Sequence, residues 1–392
     1  MINQADVGEW IREVTERPES APLIIQEVAR RLVELEKLNE KLRTENLALS
    51  TKHRIQQYQD RIAELEYQLE IMGKHLVDGA GVPESPHLLV YNPQAQLLKL
   101  ALPATDMASG AILGRFSTGS GAETEGLGLR AVYPQDELLL LFASGRTATL
   151  PAADIPLGQE KDLNWAAARD HNLPQGDVLI DIRPISKMSI FAYAIQTSRL
   201  GYARRIAVKF LQRYITQNNI GQGTTGSAAV DRPAELTFCQ PDDLLVVVSR
   251  QGYVLSVTGE AVPVVADRAL KLDPDDTVVT AFNMGRAPSL VAVSQEGRAM
   301  RYPATWLKPA EKLGGRGQSL WSKSKREAGI RLVGAGAAGD DDWGVGLKAN
   351  GHLIAVKINE IPPSNASKKE HLLKNIYPFD LLAFTIISFN PL

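Results

Sequence analysis

The 392-residue sequence predicts an all-β ring of six propeller-like blades preceded by an N-terminal α-helical coiled coil. Three observations carry that reading. Proline and glycine are scarce as far as Leu76 and frequent afterwards, a shift from helical to turn-rich composition. Apolar residues in the first part recur every seven positions. In the second part, short apolar runs and glycine turns recur at intervals of about 50 residues, the period of propeller blades.

Residues 1–22 read as a short helix and linker. Val7, Trp10, Ile11 and Val14 share one helical face, and Pro18-Glu19-Ser20-Ala21-Pro22 stops it. Residues 23–76 read as the coiled coil. Val28, Leu35, Leu42 and Leu49 form an unbroken heptad series, alternating with Leu32, Asn39 and Asn46. A second register takes in Ile62, Leu65 and Leu69. Heptads sustained this long, flanked by Glu, Lys and Arg, predict self-association. Asn39 and Asn46 at core positions favour a parallel dimer, because their amides pair only in register.

Residues 85–392 read as the ring. Leu244–Ser249 followed by Arg250-Gln251-Gly252 and a second apolar run is the clearest hairpin. Ser289–Ser294 with Gln295-Glu296-Gly297 repeats it. Further copies lie at Leu138–Gly145, Ile190–Gly201 and Trp343–Gly351, with a weaker opening copy around Leu88–Leu102. The tight turn of each of the five clear copies needs a glycine because one residue must take a positive φ. Closing six units radially protects strand edges that a lone hairpin leaves open.

These repeats resemble the six-bladed β-pinwheel of the C-terminal domains of DNA gyrase A and topoisomerase IV. Gly201-Tyr202-Ala203-Arg204-Arg205 fits that family's blade signature, and Gly252-Tyr253-Val254-Leu255-Ser256 fits it without the charge. Glu311-Lys312-Leu313-Gly314-Gly315-Arg316-Gly317 is similar to the family's basic, glycine-rich box, with Glu311 and Leu313 replacing Gln and Arg. The resemblance implies a DNA-wrapping ring. It also implies no topoisomerase activity, since the breakage-reunion domain is replaced here by the arm.

Composition bounds the chemistry. The formal net charge of −2 is not that of a generic polyanion binder. Cys239 is the only cysteine and six histidines are scattered, so no disulfide, zinc site or other cofactor is expected. No Walker loop, His-Glu-x-x-His motif or nucleophile elbow occurs. Neither a signal peptide nor a membrane span is evident, so a soluble, cytoplasmic, non-enzymatic protein is expected.

Charge is nevertheless segregated. Arg199, Arg204, Arg205, Lys209 and Arg213 form one basic stretch without an acid. Arg298, Arg301, Lys308, Lys312, Arg316, Lys323, Lys325 and Arg326 form a second, with Gly314, Gly315 and Gly317 admitting a close approach. Asp154, Glu160, Asp162, Asp170, Asp177 and Asp181 make the early blades acidic. These stretches predict a non-catalytic, nucleoid-associated bacterial protein. It would bend double-stranded DNA without sequence preference and bridge it through the coiled coil. The alternative is a protein-interaction scaffold on a gyrase-like ring that has lost wrapping.

Overall fold

The computed structural model describes residues 4–45, 85–102, 127–155, 157–158, 176–223, 231–364, 370–373 and 380–388. The chain divides into two compact units, Met1–Pro83 and Glu84–Leu392.

In the first unit, helix α1 (Gln4–Glu16) ends at a 3-10 turn over Pro18–Ser20, and helix α2 runs over residues 21–45. Pro22 therefore sits in the first turn of α2 rather than beyond a break, where its missing N–H costs no intrahelical bond. The Arg31 guanidinium lies 5.2 Å from the Trp10 ring centroid, so α1 folds back beside the start of α2. Of the heptad positions, Val28 is half-buried, while Leu35, Asn39 and Leu42 are exposed on the single chain. Asn46, Leu49, Ile62, Leu65 and Leu69 lie outside the described residues.

The second unit is the predicted ring. Blade one comprises β1 (His87–Tyr91), β2 (Leu97–Leu100) and β3 (Gly128–Val132). Blade two comprises β4 (Glu137–Phe142), β5 (Thr147–Pro151) and β6 (Leu179–Pro184). Blade three is built from β7 (Tyr193–Ser198), β8 (Tyr202–Ala207) and β9 (Pro233–Cys239), with helix α3 (Val208–Thr216) after β8. Blade four uses β10 (Leu244–Ser249) and β11 (Tyr253–Thr258). The two-residue β12 (Asp267–Arg268) follows, and then β13 (Val278–Asn283) completes the blade. Blade five is β14 (Ser289–Ser294), β15 (Arg298–Pro303) and β17 (Leu332–Ala338), with β16 (Gln318–Ser319) and the short helix α4 (Lys323–Glu327) between the last two. Blade six is β18 (Trp343–Lys348), β19 (Leu353–Lys357) and β21 (Leu381–Ile387), with β20 (His371–Leu372) before the last strand.

Within each blade the first strand in the chain is central, and its two neighbours are antiparallel to it. In blades one, two, four and five its apolar run is nearly continuous because both faces are buried between neighbouring blades. On β1, Leu89 and Tyr91 join Leu138 and Leu140 of blade two, while Leu88 and Val90 join Val345 and Leu347 of blade six. The inner strands β3, β6, β9, β13, β17 and β21 touch one another in sequence, and β21 returns to β3. The ring is closed.

Short exchanged segments complete the blades. β12 pairs with β8, β16 with β11 and β20 with β15. Leu157 bridges Lys99 of blade one, and Asn219 bridges Arg146 of blade two. Each of the first five blades is thus edged by the chain that has just left the next blade, which removes an open strand edge and ties neighbours together.

Local polar devices set the hairpin turns of blades two to five. Ser198, Ser249 and Ser294 accept, at Oγ, the backbone N–H groups of Tyr202, Tyr253 and Arg298, four residues on. Asp177, Asp231 and Asp276 accept N–H groups from the hairpin turns at Ser144, Leu200 and Gln251.

Candidate nucleic-acid interface

Two populations of charge emerge, one at the axis and one on the outer edges. At the axis, the inner strands line an open cavity of about 370 Å³. Arg130 Nη2 lies 2.7 Å from Asp181 Oδ1 and 3.2 Å from Glu235 Oε1, and Arg183 Nε lies 2.8 Å from Asp181 Oδ2. Arg183 also pairs with Glu235, and Asp181 accepts the Leu236 N–H at 3.0 Å. Burial would raise the Asp181 carboxyl, but Arg183 and Arg130 outweigh it and hold the group below the ordinary range. Asp181, grouped by sequence with the acids of the early blades, is therefore a buried hub. On β6, Asp181 and Arg183 are two apart and share a strand face.

On the outside, main-chain bonds bring together residues from both basic stretches. Arg268 of β12 pairs with Tyr202 of β8 in the ladder, and its guanidinium lies 5.5 Å from the Tyr202 ring centroid. Gly314 N–H donates to Ala269 O at 2.8 Å, and Lys271 N–H donates to Gly315 O at 2.8 Å. The glycine-rich loop thus lies along the edge of blade three. Gly314 and Gly317 have φ of 85° and 71°, and a Cβ on Gly317 would stand 2.2 Å from Val254 O. The loop is held where only glycine fits, and it turns Lys312 and Arg316 outward. Both are exposed, and Arg316 Nη2 lies 2.8 Å from Asp273 Oδ1. Lys308, just before the loop, is exposed too.

Other predicted cations are differently employed. Arg301 is buried: its Nε donates to Ser289 Oγ at 3.1 Å and its Nη1 to Ile358 O at 3.2 Å, while Nη2 pairs with Asp340. It is a strut between blades five and six rather than an exposed rim charge. Arg204 donates to Gln196 Oε1 at 2.9 Å and to Ile220 O, and burial lowers its pKa. Arg205 donates to Glu260 O at 2.8 Å and lies 4.8 Å from the Tyr193 ring centroid. Arg326 donates to Ser319 Oγ and Trp321 O and lies over the Tyr253 ring. Arg298 and Lys325 share Glu370, and Lys323 pairs with Glu327 at 3.5 Å. Arg199 is half-buried in its turn, whereas Lys209 and Arg213 project from α3.

Sequence reasoning missed Arg268 and Lys271. A running charge count cancels them against Asp267, Asp273, Asp275 and Asp276, and the two-residue β12 leaves no alternation to read.

No family model and no curated protein matches the chain. Among solved structures it is similar to the C-terminal domain of DNA gyrase A, with a TM-score of 0.60 and 16% identity over 77% of this chain and 100% of that one. It is also similar to the C-terminal domain of DNA topoisomerase IV, with a TM-score of 0.53 and 16% identity over 79% of this chain and 95% of that one. At this identity the likeness is one of fold, and the fold is the six-bladed β-pinwheel.

Proposed function

We propose that the protein is a non-catalytic architectural DNA-binding protein that bends a duplex over the outer edge of blades three and four. The observation that carries this reading is the convergence of Arg268, Lys271, Lys312 and Arg316 on one edge of a ring with the gyrase A C-terminal fold. Lysine and arginine neutralise phosphates and release counterions, giving affinity without sequence preference. Asp267 and Asp273 on the same edge temper that affinity, so the contact is a short bend rather than a full wrap.

In this reading residues 23–76 form a parallel coiled-coil dimer, and two rings on one dimer bridge DNA by raising the local concentration of each weak site. The protein then acts in the bacterial cytoplasm on the nucleoid. No helix among the described residues is long and apolar enough to cross a membrane.

A gel-shift titration on linear duplex tests the reading. Salt-sensitive shifting that is lost in K312E/R316E supports it, and no shift at low salt contradicts it. Sedimentation of L35E/L42E tests the arm separately: the dimer should become a monomer while each ring keeps its own DNA affinity.

A further inference from the structure

The two most exposed large apolar side chains among the described residues of the ring are neighbours in sequence. Val264 is 67% exposed and Val265 is 78% exposed, above Leu372, Ile190 and Phe210. The turn that carries them is fixed at both ends. Before it, Val262 is fully buried, and Pro263 O accepts the Arg205 N–H at 2.8 Å. After it, β12 pairs Asp267 with Ala203 and Arg268 with Tyr202. The Gly201 carbonyl then accepts the N–H groups of Ala269 and Leu270 at 2.8 and 2.9 Å. Val262, Ala269 and Leu270 all enter the core that holds Ala203, Leu245 and Leu255. The two valines therefore stand on a short tip, anchored on both sides along the edge of β8, and add little to that core.

This tip belongs to the edge proposed as the DNA path. Arg268 lies on β12 directly after it, and Lys271 follows, with its main chain bonded to Gly315 of the glycine-rich loop. Both cations are exposed. Scattered apolar residues are ordinary on a protein surface, but an anchored pair beside phosphate-binding cations has a use in bending DNA. Arg268, Lys271, Lys312 and Arg316 face Asp267 and Asp273, so the surplus of positive charge on this edge is small. Smooth bending stores elastic energy along the whole site, which a small surplus offsets poorly. A kink concentrates the deformation at one base step, and apolar side chains inserted there produce it.

Size selects the occupant. A stable protein interface needs a broad buried patch with aromatic or arginine anchors at its centre, and two valines offer neither. Attachment to a lipid surface grows with the apolar area inserted, which is slight here. A base step, by contrast, is opened by a small aliphatic wedge. We propose that Val264 and Val265 enter the minor groove of the bound duplex and partly unstack one base step, while Arg268 and Lys271 hold the phosphates alongside. The inference rests on the DNA reading and adds to it the place and the cause of the bend.

The test uses the full chain and two duplexes of one sequence, intact and with a central mismatch, each carrying a donor and an acceptor dye at its ends. A mismatch lowers the cost of unstacking, so the parent should bind the mismatched duplex about tenfold more tightly than the intact one. V264S/V265S should bind the two equally. At saturation on the intact duplex, energy transfer between the ends should rise with the parent and rise less with V264S/V265S. V264I/V265I, which keeps the aliphatic surface, should retain both the preference and the transfer. K312E/R316E should lose affinity for both duplexes alike and keep the preference. Both valines are exposed, so circular dichroism and melting of V264S/V265S should match the parent. Equal binding of the two duplexes by the parent would overturn the wedge and leave the DNA reading standing. The same preference and transfer in V264S/V265S as in the parent would do so too. Binding of neither duplex at low salt would overturn the DNA reading, and the wedge with it.

Discussion

Arg205 and Arg301 stand at equivalent positions on β8 and β15, and each reaches a carbonyl in the turn of the next blade, at Glu260 and Ile358. Lys312 and Arg316 belong to the same sequence-level class of basic residue, yet they project from a loop whose glycines hold it against β11 and β12. The contrast teaches that position decides what a cation does in this ring. On a strand beside an exchanged segment, a long cationic side chain finds main-chain carbonyls to satisfy and becomes a strut. On a positive-φ loop along the edge, it is turned away from such partners. The axial cluster of Arg130, Asp181, Arg183 and Glu235 is the extreme of the first kind, with its charges spent on one another.

The largest effect that sharpens this comparison belongs to the axis. R183M should lower unfolding free energy by about 3–5 kcal/mol in a denaturant titration, because it leaves buried carboxylates short of a partner. The hub also sets a pH dependence. Asp181 is held below the ordinary carboxylate range, so its stabilisation is present above the unfolded-state pKa and is lost as pH falls through the lower folded value. D181N should therefore be less stable at neutral pH and show a flatter acid limb below about pH 4.

Next in size comes Gly317, where alanine needs a φ of 71° and a Cβ that meets Val254 O. G317A should cost about 1–3 kcal/mol and should weaken DNA binding indirectly by displacing the loop. R301M should cost a comparable ~1–3 kcal/mol by stranding the buried groups it satisfies, including Ser289. Its folded fraction should nevertheless bind DNA like the parent. Smallest on stability is K312E/R316E, expected within about 0.5 kcal/mol since both side chains are exposed. A large stability loss in that variant, or none in R183M, would break the division between struts and available charges.

Much of the ring was legible in the sequence because its hairpins carry local causes. Ser249-Arg250-Gln251-Gly252 shows the serine that accepts the Tyr253 N–H and the glycine at φ 83°. Ser-x-x-Gly recurs at Ser198, Ser249 and Ser294, and the spacing of the hairpins at about 50 residues carried the blade number. The exchanged strands were not legible, because β12, β16 and β20 are two residues each and take their geometry from the neighbouring blade. Helix α3 escaped for a related reason: Val208, Leu211 and Ile215 have helical spacing over only two turns. Counting charges along the basic stretches could not separate Arg301, whose carbonyl partners lie about 60 positions away, from the exposed Arg316. The same blindness left Asp181 among the acids of the early blades, since its partners Arg130 and the Leu236 N–H come from other blades.

Whether the glycine-rich edge is the DNA path is decided by the salt dependence of duplex-DNA affinity, measured by anisotropy for the parent, K312E/R316E and R301M. Log affinity should fall linearly with log salt. R301M should keep the parent slope, and K312E/R316E should lose nearly 2 units of slope for two phosphate contacts at about 0.9 each. An unchanged slope in K312E/R316E would contradict the assignment of this edge as the DNA path.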